Sequence, residues 1–330
     1  MILVTGATGL VGGNLMWYLL QENERVCAIR RTTSKLESLR TIFGFYTQNP
    51  DKYLDRIDWK TADVLDYQSI VDAMTGIKTV YHCAAVVSLG NGLQNLIDTN
   101  VEGTKNIVKA CLEKGDVKMC FVSSIAACGK ETNGELINEN TPWQKNDNQS
   151  LYAKSKFNSE LEVWNGIEQG LNAVIVNPGV ILGISGKNTG SSQLFTQVHK
   201  GLAFYTNGGS GYVDVRDVAK AMIKLTNSKI KAERFILVAK NCSNKEILSW
   251  MADSFGKPRP FIPIGKNLLE IIGYLSEKIG KLFNLKPLID RGTAKSATGR
   301  SYYSSNKIQE TIDFKFSAIE KCIQEVCKYF

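Results

Sequence analysis

Tyr152 and Lys156 stand four residues apart in the stretch Tyr-Ala-Lys-Ser-Lys, so a helix over this segment sets a phenol above an ammonium on one face. Pairs of this kind also arise on solvated helix faces with no chemical consequence, because four-apart residues are always neighbours there. The chemical reading is proton transfer. A tyrosine ordinarily titrates near ~10, so a phenolate usable near neutrality needs about three units of depression, roughly 4 kcal/mol, and a nearby cation such as Lys156 supplies it. The reading needs an oxygen to receive the proton and a hydroxyl to hold that oxygen. Ser123 and Ser124, in Val-Ser-Ser-Ile-Ala-Ala-Cys-Gly, both offer one at the end of an apolar run.

A second constellation opens the chain. Thr-Gly-Ala-Thr-Gly-Leu-Val-Gly-Gly follows the apolar run Met1–Val4 and leads into a helical pattern, with Gly6, Gly9 and Gly12 at three-residue spacing and Thr8, Leu10 and Val11 between them. Small residues let the backbone approach a pyrophosphate, and the helix start adds free N–H donors and a positive dipole. The bland alternative is a glycine turn that only packs helix on strand. About twenty residues on, where a carboxylate would hold a ribose 2′-hydroxyl, the chain carries Arg30 and Arg31. Two guanidiniums suit a 2′-phosphate, which a carboxylate would repel, so NADP(H) is expected over NAD(H). Asp63 and Val64, read as ending a third strand, are placed to cap the adenine. Ala84 and Ala85 end a fourth with small residues where the cofactor would pass.

These residues need a scaffold, and the sequence supplies one. Strand-like runs alternate with helix-like segments as far as about Gly183. They start at Met1, Arg25, Ile57, Thr79, Val117 and Asn172, the last continuing through Gly183 as one strand. Alternation implies right-handed crossovers and a parallel sheet covered on both faces, a doubly wound α/β domain. Beyond Gly183 the pattern decays. Residues 1–183 and 206–228 are assigned to the dinucleotide domain, and 184–205 and 229–330 to a smaller substrate lobe. The chain of 330 residues carries a formal net charge of +8 spread without a Lys/Arg block, which favours an anionic small molecule over nucleic acid. Eight cysteines without a CxxC pair, and a start with no basic leader or cleavage site, lead to the expectation of a reduced, cytoplasmic protein with buried thiols. The longest apolar stretch, Lys266 to Pro287, is interrupted by Glu270, Glu277, Lys278 and Lys281. It reads as an amphipathic helix packed on its own domain rather than one spanning or docking on a membrane.

Taken together, Thr-Gly-Ala-Thr-Gly-Leu-Val-Gly, the serine of Ser-Ser-Ile-Ala-Ala-Cys-Gly, Tyr-Ala-Lys-Ser-Lys and Asn-Pro-Gly-Val-Ile-Leu-Gly resemble the extended short-chain dehydrogenase/reductase family. Asn-Val-Glu-Gly-Thr-Lys-Asn and Tyr-Val-Asp-Val-Arg-Asp-Val resemble its dihydroflavonol reductase-like branch. The resemblance spans nearly the whole chain. It implies a doubly wound parallel Rossmann sheet with a smaller, mixed C-terminal substrate lobe. It also implies a catalytic set of Ser124, Tyr152 and Lys156, with Ser124 preferred to Ser123 because it stands five residues before Gly129. Lys156 would also hold the nicotinamide ribose, Pro178 and Ile181 would lie against the nicotinamide, and helices often pair into a homodimer. Asn100 is read as a helix N-cap in preference to a site support, and His82 and His199 as neither catalytic nor metal-bound. Three functions fit: an NADP(H)-dependent carbonyl reductase acting on a small-molecule substrate, a nucleotide-sugar epimerase or dehydratase, and a non-catalytic NADP(H) sensor. Ile125 after Ser124, where dehydratases of the family carry an acidic residue, and Cys128, where epimerases carry tyrosine, favour the first.

Overall fold

In the central sheet, successive residues of a strand enter opposite cores. Leu3, Cys27, Ile29, Val80, Met119, Phe121 and Ile175 fill one, while Val4, Ala28, Tyr81, Cys120, Val122, Val174 and Val176 fill the other. This is the two-residue period of a strand with both faces covered, and it explains the near-continuous apolar runs of the sequence. The computed structural model describes residues 1–34, 36–87, 96–130, 134–144, 149–186, 190–265, 267–269, 271 and 297–330. Its strands are β1 (Ile2–Thr5), β2 (Val26–Arg30), β3 (Ile57–Thr61), β4 (Thr79–His82), β5 (Lys118–Val122), β6 (Asn172–Pro178), β7 (Val180–Leu182), β8 (Phe204–Thr206), β9 (Gly209–Asp214), β10 (Glu233–Leu237), β11 (Lys240–Ser243) and β12 (Ile262–Ile264).

Seven strands form the main sheet in the order β10-β6-β5-β4-β1-β2-β3, every neighbouring pair parallel. The chain runs outward from β1 to β3 and then resumes at β4 on the other side of β1. The strand order therefore reverses between β1 and β4, which opens a crevice at their carboxyl ends. Helices Leu10–Glu22 and Val215–Thr226 cover one face, and Tyr67–Ala73, Gly103–Lys114 and Leu151–Glu168 the other. The fold class is as expected from the sequence.

Several details differ from the sequence reading. The run Asn172–Gly183 is two strands rather than one. A Cβ on Gly179 would lie 2.4 Å from the Gly211 carbonyl oxygen, and this close approach lets the chain leave the main sheet after Pro178 and join β9 as β7 in a three-stranded sheet with β11. The third strand stops at Thr61, so Asp63 and Val64 lie on the following turn. The seventh strand, β10, comes from the segment assigned to the second lobe, and its register against β6 runs from Glu233↔Val174 to Leu237↔Pro178. The small sheets and the helices Glu37–Tyr46, Asp51–Leu54, Ser191–His199, Asn244–Ser254, Asn306–Ile312 and Ile319–Tyr329 are the other regular elements among the described residues.

The last of these helices ties the chain end to the first half of the fold. It buries Ile319, Cys322, Ile323 and Val326, and its Tyr329 hydroxyl donates to the Thr41 carbonyl at 3.0 Å. Arg216 pairs there with both Asp214 and Glu325. All eight cysteines are free thiols, seven of them buried and Cys83 half-buried. Among the described residues no helix is long and apolar enough to cross a membrane. The predicted amphipathic helix from Lys266 to Pro287 falls outside the described residues except at 267–269 and 271.

Candidate active site

The glycine loop is built for close backbone approach. Gly6 has φ +67, and a Cβ there would meet the Ala84 amide nitrogen at 2.6 Å. A Cβ on Gly12 would stand 2.3 Å from the Gly6 carbonyl oxygen. The Gly9 N–H donates to that same oxygen at 3.0 Å, and Leu10–Glu22 starts at once with no side chain capping its first turn. The first-turn N–H groups are thus left for a ligand. Thr8, half-buried, and Leu10 and Val11 complete the turn. Across the crevice, the Ala84 N–H donates to the Thr5 hydroxyl at 3.1 Å, which brings Ala84 and Ala85 to the mouth of the loop. A loop that a single methyl would fill, capped by an open helix start, fits a dinucleotide pyrophosphate.

On the β2 side, the Arg30 guanidinium lies 5.3 Å from the Trp59 ring centroid, and the exposed Arg31 donates its backbone N–H to Ser34 Oγ. Neither arginine forms an ion pair among the described residues, so two positive charges stand uncompensated at the strand end. The Asp63 carboxylate accepts from the Leu65 N–H at 3.1 Å, holding the turn. Val64 is buried with its side chain against Gly103.

The proposed chemistry comes together at the carboxyl edge of β5. Ser124, just past the strand, caps the short turn Ile125–Ala127, which packs against the Leu151–Glu168 helix whose first turn carries Tyr152. Ser150 caps that helix by accepting from the Ala153 N–H at 3.1 Å. Burial pushes the Tyr152 phenol above its ordinary value, and the Ser124 hydroxyl pulls the other way. Lys156 is 3% exposed and donates to the Val122 carbonyl at 2.8 Å, with Phe121 below its ammonium. Burial brings Lys156 down to about 8, while the neighbouring Glu160 carboxylate opposes the shift. Ser123 points elsewhere and donates to Glu160 Oε2 at 2.6 Å. The adjacent serines therefore have distinct partners. Pro178 ends β6 beside this edge, and Ile181 lies in β7, half-buried.

Asn100 is not an N-cap. It sits inside a wide, π-type turn, Asp98–Glu102, and its side chain holds both backbone groups of Val86, at 2.7 and 2.9 Å, and Ser155 Oγ at 3.0 Å. This ties the β4 exit to the Tyr152 helix. Below it, His82 is buried between Thr5 and Thr104. Burial and the nearby Lys156 charge bring its ring down to about 3, so it stays neutral. The face of Leu151–Glu168 turned inward carries a polar stretch: Ser155, Lys156, Ser159 and Glu160 are buried beside Val163, while Leu161 is 41% exposed. The sequence reading missed Glu160, although its place one turn beyond Lys156 is the signal that reveals it. A cleft of about 400 Å³, lined by Phe157, Glu160, Leu161, Trp164, Arg234 and Lys307 among others, includes no residue of the Ser-Tyr-Lys set or the glycine loop.

Residues 2–238 match the model of the NAD dependent epimerase/dehydratase family. The chain is 29% identical over 289 residues to sterol demethylase protein B of Methylococcus capsulatus, covering 85% of this chain and 82% of the relative. It is 26% identical over 334 residues to a putative dihydroflavonol 4-reductase of Synechocystis, covering 99% and 93%. The structure resembles that of UDP-glucose 4-epimerase from Thermus thermophilus solved with NAD, at TM-score 0.74 and 19% identity over 99% of this chain and 98% of the other, a likeness of fold.

Proposed function

The chain belongs to the NAD dependent epimerase/dehydratase family and is an NAD(P)-dependent oxidoreductase of the extended short-chain dehydrogenase/reductase type, and from that premise we propose that it is an NADPH-dependent reductase of a hydrophobic aldehyde or ketone. The gathering of Ser124, Tyr152 and Lys156 at the carboxyl edge of β5, where the Ser124 turn packs on the Tyr152 helix and Lys156 bonds the Val122 carbonyl, carries this reading. The glycine loop would hold the pyrophosphate, Arg30 and Arg31 the 2′-phosphate, and Lys156 the nicotinamide ribose. When bound, the reduced cofactor supplies the hydride. Tyr152 gives its phenolic proton to the substrate oxygen, and Ser124 donates a hydrogen bond that steadies the charge developing there. A half-buried phenol whose pKa is raised keeps its proton at neutral pH, as an acid in the reductive direction must.

The relative named a reductase matches along nearly the full chain, which supports reduction. Ile125, buried in an apolar cluster with Cys128 and Ile137, leaves no acidic residue beside Ser124 for dehydration. The likeness to an epimerase fold supports the second reading, a nucleotide-sugar enzyme. A screen separates the two. Hydrophobic aldehydes or ketones are expected to accelerate NADPH oxidation while free UDP and dTDP bind weakly. Tight UDP binding by calorimetry, with no carbonyl-dependent NADPH consumption, would make the epimerase reading the better one.

Cofactor choice has its own test. NADPH is expected to bind more tightly than NADH, and Arg30→Asp to cut the preference by about tenfold or invert it, since it removes one cation and adds a repelling charge. Equal affinities of the unaltered protein for the two cofactors, by fluorescence titration, would sink this assignment.

A further inference from the structure

Glu160 has four hydrogen-bond donors converging on its buried carboxylate. Ser123 Oγ at 2.6 Å and Asn177 Nδ2 at 2.8 Å reach Oε2, and Arg234 Nη1 at 3.0 Å and Trp164 Nε1 at 3.3 Å reach Oε1. These donors come from the exit of β5, from β6, from β10 and from the helix itself. The same Asn177 amide also donates to the Ser124 carbonyl at 3.0 Å. Its own oxygen is buried with no hydrogen-bond partner among the described residues. A flipped amide would turn that oxygen toward the Glu160 carboxylate, so the anion fixes which way Asn177 points, and Asn177 in turn fixes the backbone of Ser124.

We propose that Glu160 is a positioning residue of the active site, the common anchor through which Ser123, Asn177 and Arg234 hold the Ser124 backbone, and the carboxylate set one helical turn from Lys156. This rests on the oxidoreductase reading above. The charge argument depends on what surrounds Lys156. Its own helix contributes Tyr152 and Glu160, β4 and its exit contribute His82 and Cys83, and β5 contributes the Phe121 ring and the Val122 carbonyl. His82 is neutral between its two threonines, burial pushes the Cys83 thiol up, and the Tyr152 phenol keeps its proton. Glu160 is the one anion in that set. Arg234 is bonded to it but also donates to the Glu139 carbonyl, so the carboxylate is shared rather than quenched.

The test is Glu160→Gln, read by NADPH affinity across pH and by turnover with whichever hydrophobic aldehyde the unaltered protein reduces fastest. Lys156 then loses the neighbouring charge that favours its ammonium. NADPH affinity, which should weaken as pH rises through about 8 in the unaltered protein, should weaken at a pH lower by about half a unit or more. Turnover at neutral pH should fall about tenfold, because an amide cannot accept from all four donors. A fall in turnover with the alkaline limb of NADPH affinity unmoved would mark Glu160 as structural only, and unchanged behaviour in both would overturn the proposal outright. If Glu160→Gln does not fold, Ser123→Ala decides. It keeps the Glu160 charge and removes one tie to the Ser124 segment, so turnover should fall about threefold or more with the alkaline limb in place, and normal turnover would overturn the proposal. An unaltered protein that binds no NADPH would take down the functional reading and this inference with it.

Discussion

Tyr152→Phe is expected to lower carbonyl-dependent NADPH oxidation by ~10²–10⁴-fold, the loss typical of removing a general acid, while NADPH still binds. The phenyl ring keeps the packing of the helix start, and Ser150 still caps it. Ser124 remains held by the Ala126 N–H donating to its hydroxyl at 3.1 Å. The substitution thus subtracts one transferable proton and little else, and the melting temperature should stay close to that of the unaltered protein. Steady-state rates and a fluorescence titration on the same preparation check both halves. Near-normal turnover would reduce the phenol above the ammonium to a helix-face neighbour with no part in the reaction.

Gly12→Ala should abolish measurable cofactor binding, with NADPH affinity down ~100-fold or more, about 2.7 kcal/mol or more. The added methyl has no room: it lands 2.3 Å from the Gly6 oxygen, which is backbone and already accepts the Gly9 N–H. The turn must open, and opening it displaces the N–H groups that face the pyrophosphate. Overpacking of this kind also costs roughly 1–3 kcal/mol of stability, so a thermal melt should register it even without ligand. Calorimetry with NADPH is the direct check. Wild-type affinity would mean that the cofactor does not use this loop.

The sequence by itself determined the class of the fold and singled out the groups proposed for the site. Parallel strands buried on both faces must be continuously apolar, helices between them must be amphipathic, and a backbone that approaches a phosphate must be glycine. Each demand is local, so it is written in local spacing: Gly6, Gly9 and Gly12 at three-residue steps, Tyr152 and Lys156 one helical turn apart. The tertiary structure decided everything that depends on residues distant in the chain. It separated the adjacent Ser123 and Ser124 by tying the first to Glu160, 37 positions on, and leaving the second on the turn that packs against the Tyr152 helix. It broke the run Asn172–Gly183 in two because Gly211 passes close to Gly179, and it drew β10 from the segment read as a separate lobe. It also decided which side chains of the Tyr152 helix go inward beside Val163. The apolar Leu161 is exposed, and a polar face with Ser155, Lys156, Ser159 and Glu160 is buried. Hydrophobic periodicity points a helix by its greasy side, on the premise that polar groups lose too much on leaving water. Here that premise fails because Asn100, Asn177, Arg234 and the Val122 carbonyl, brought in by other elements, replace the water those groups give up.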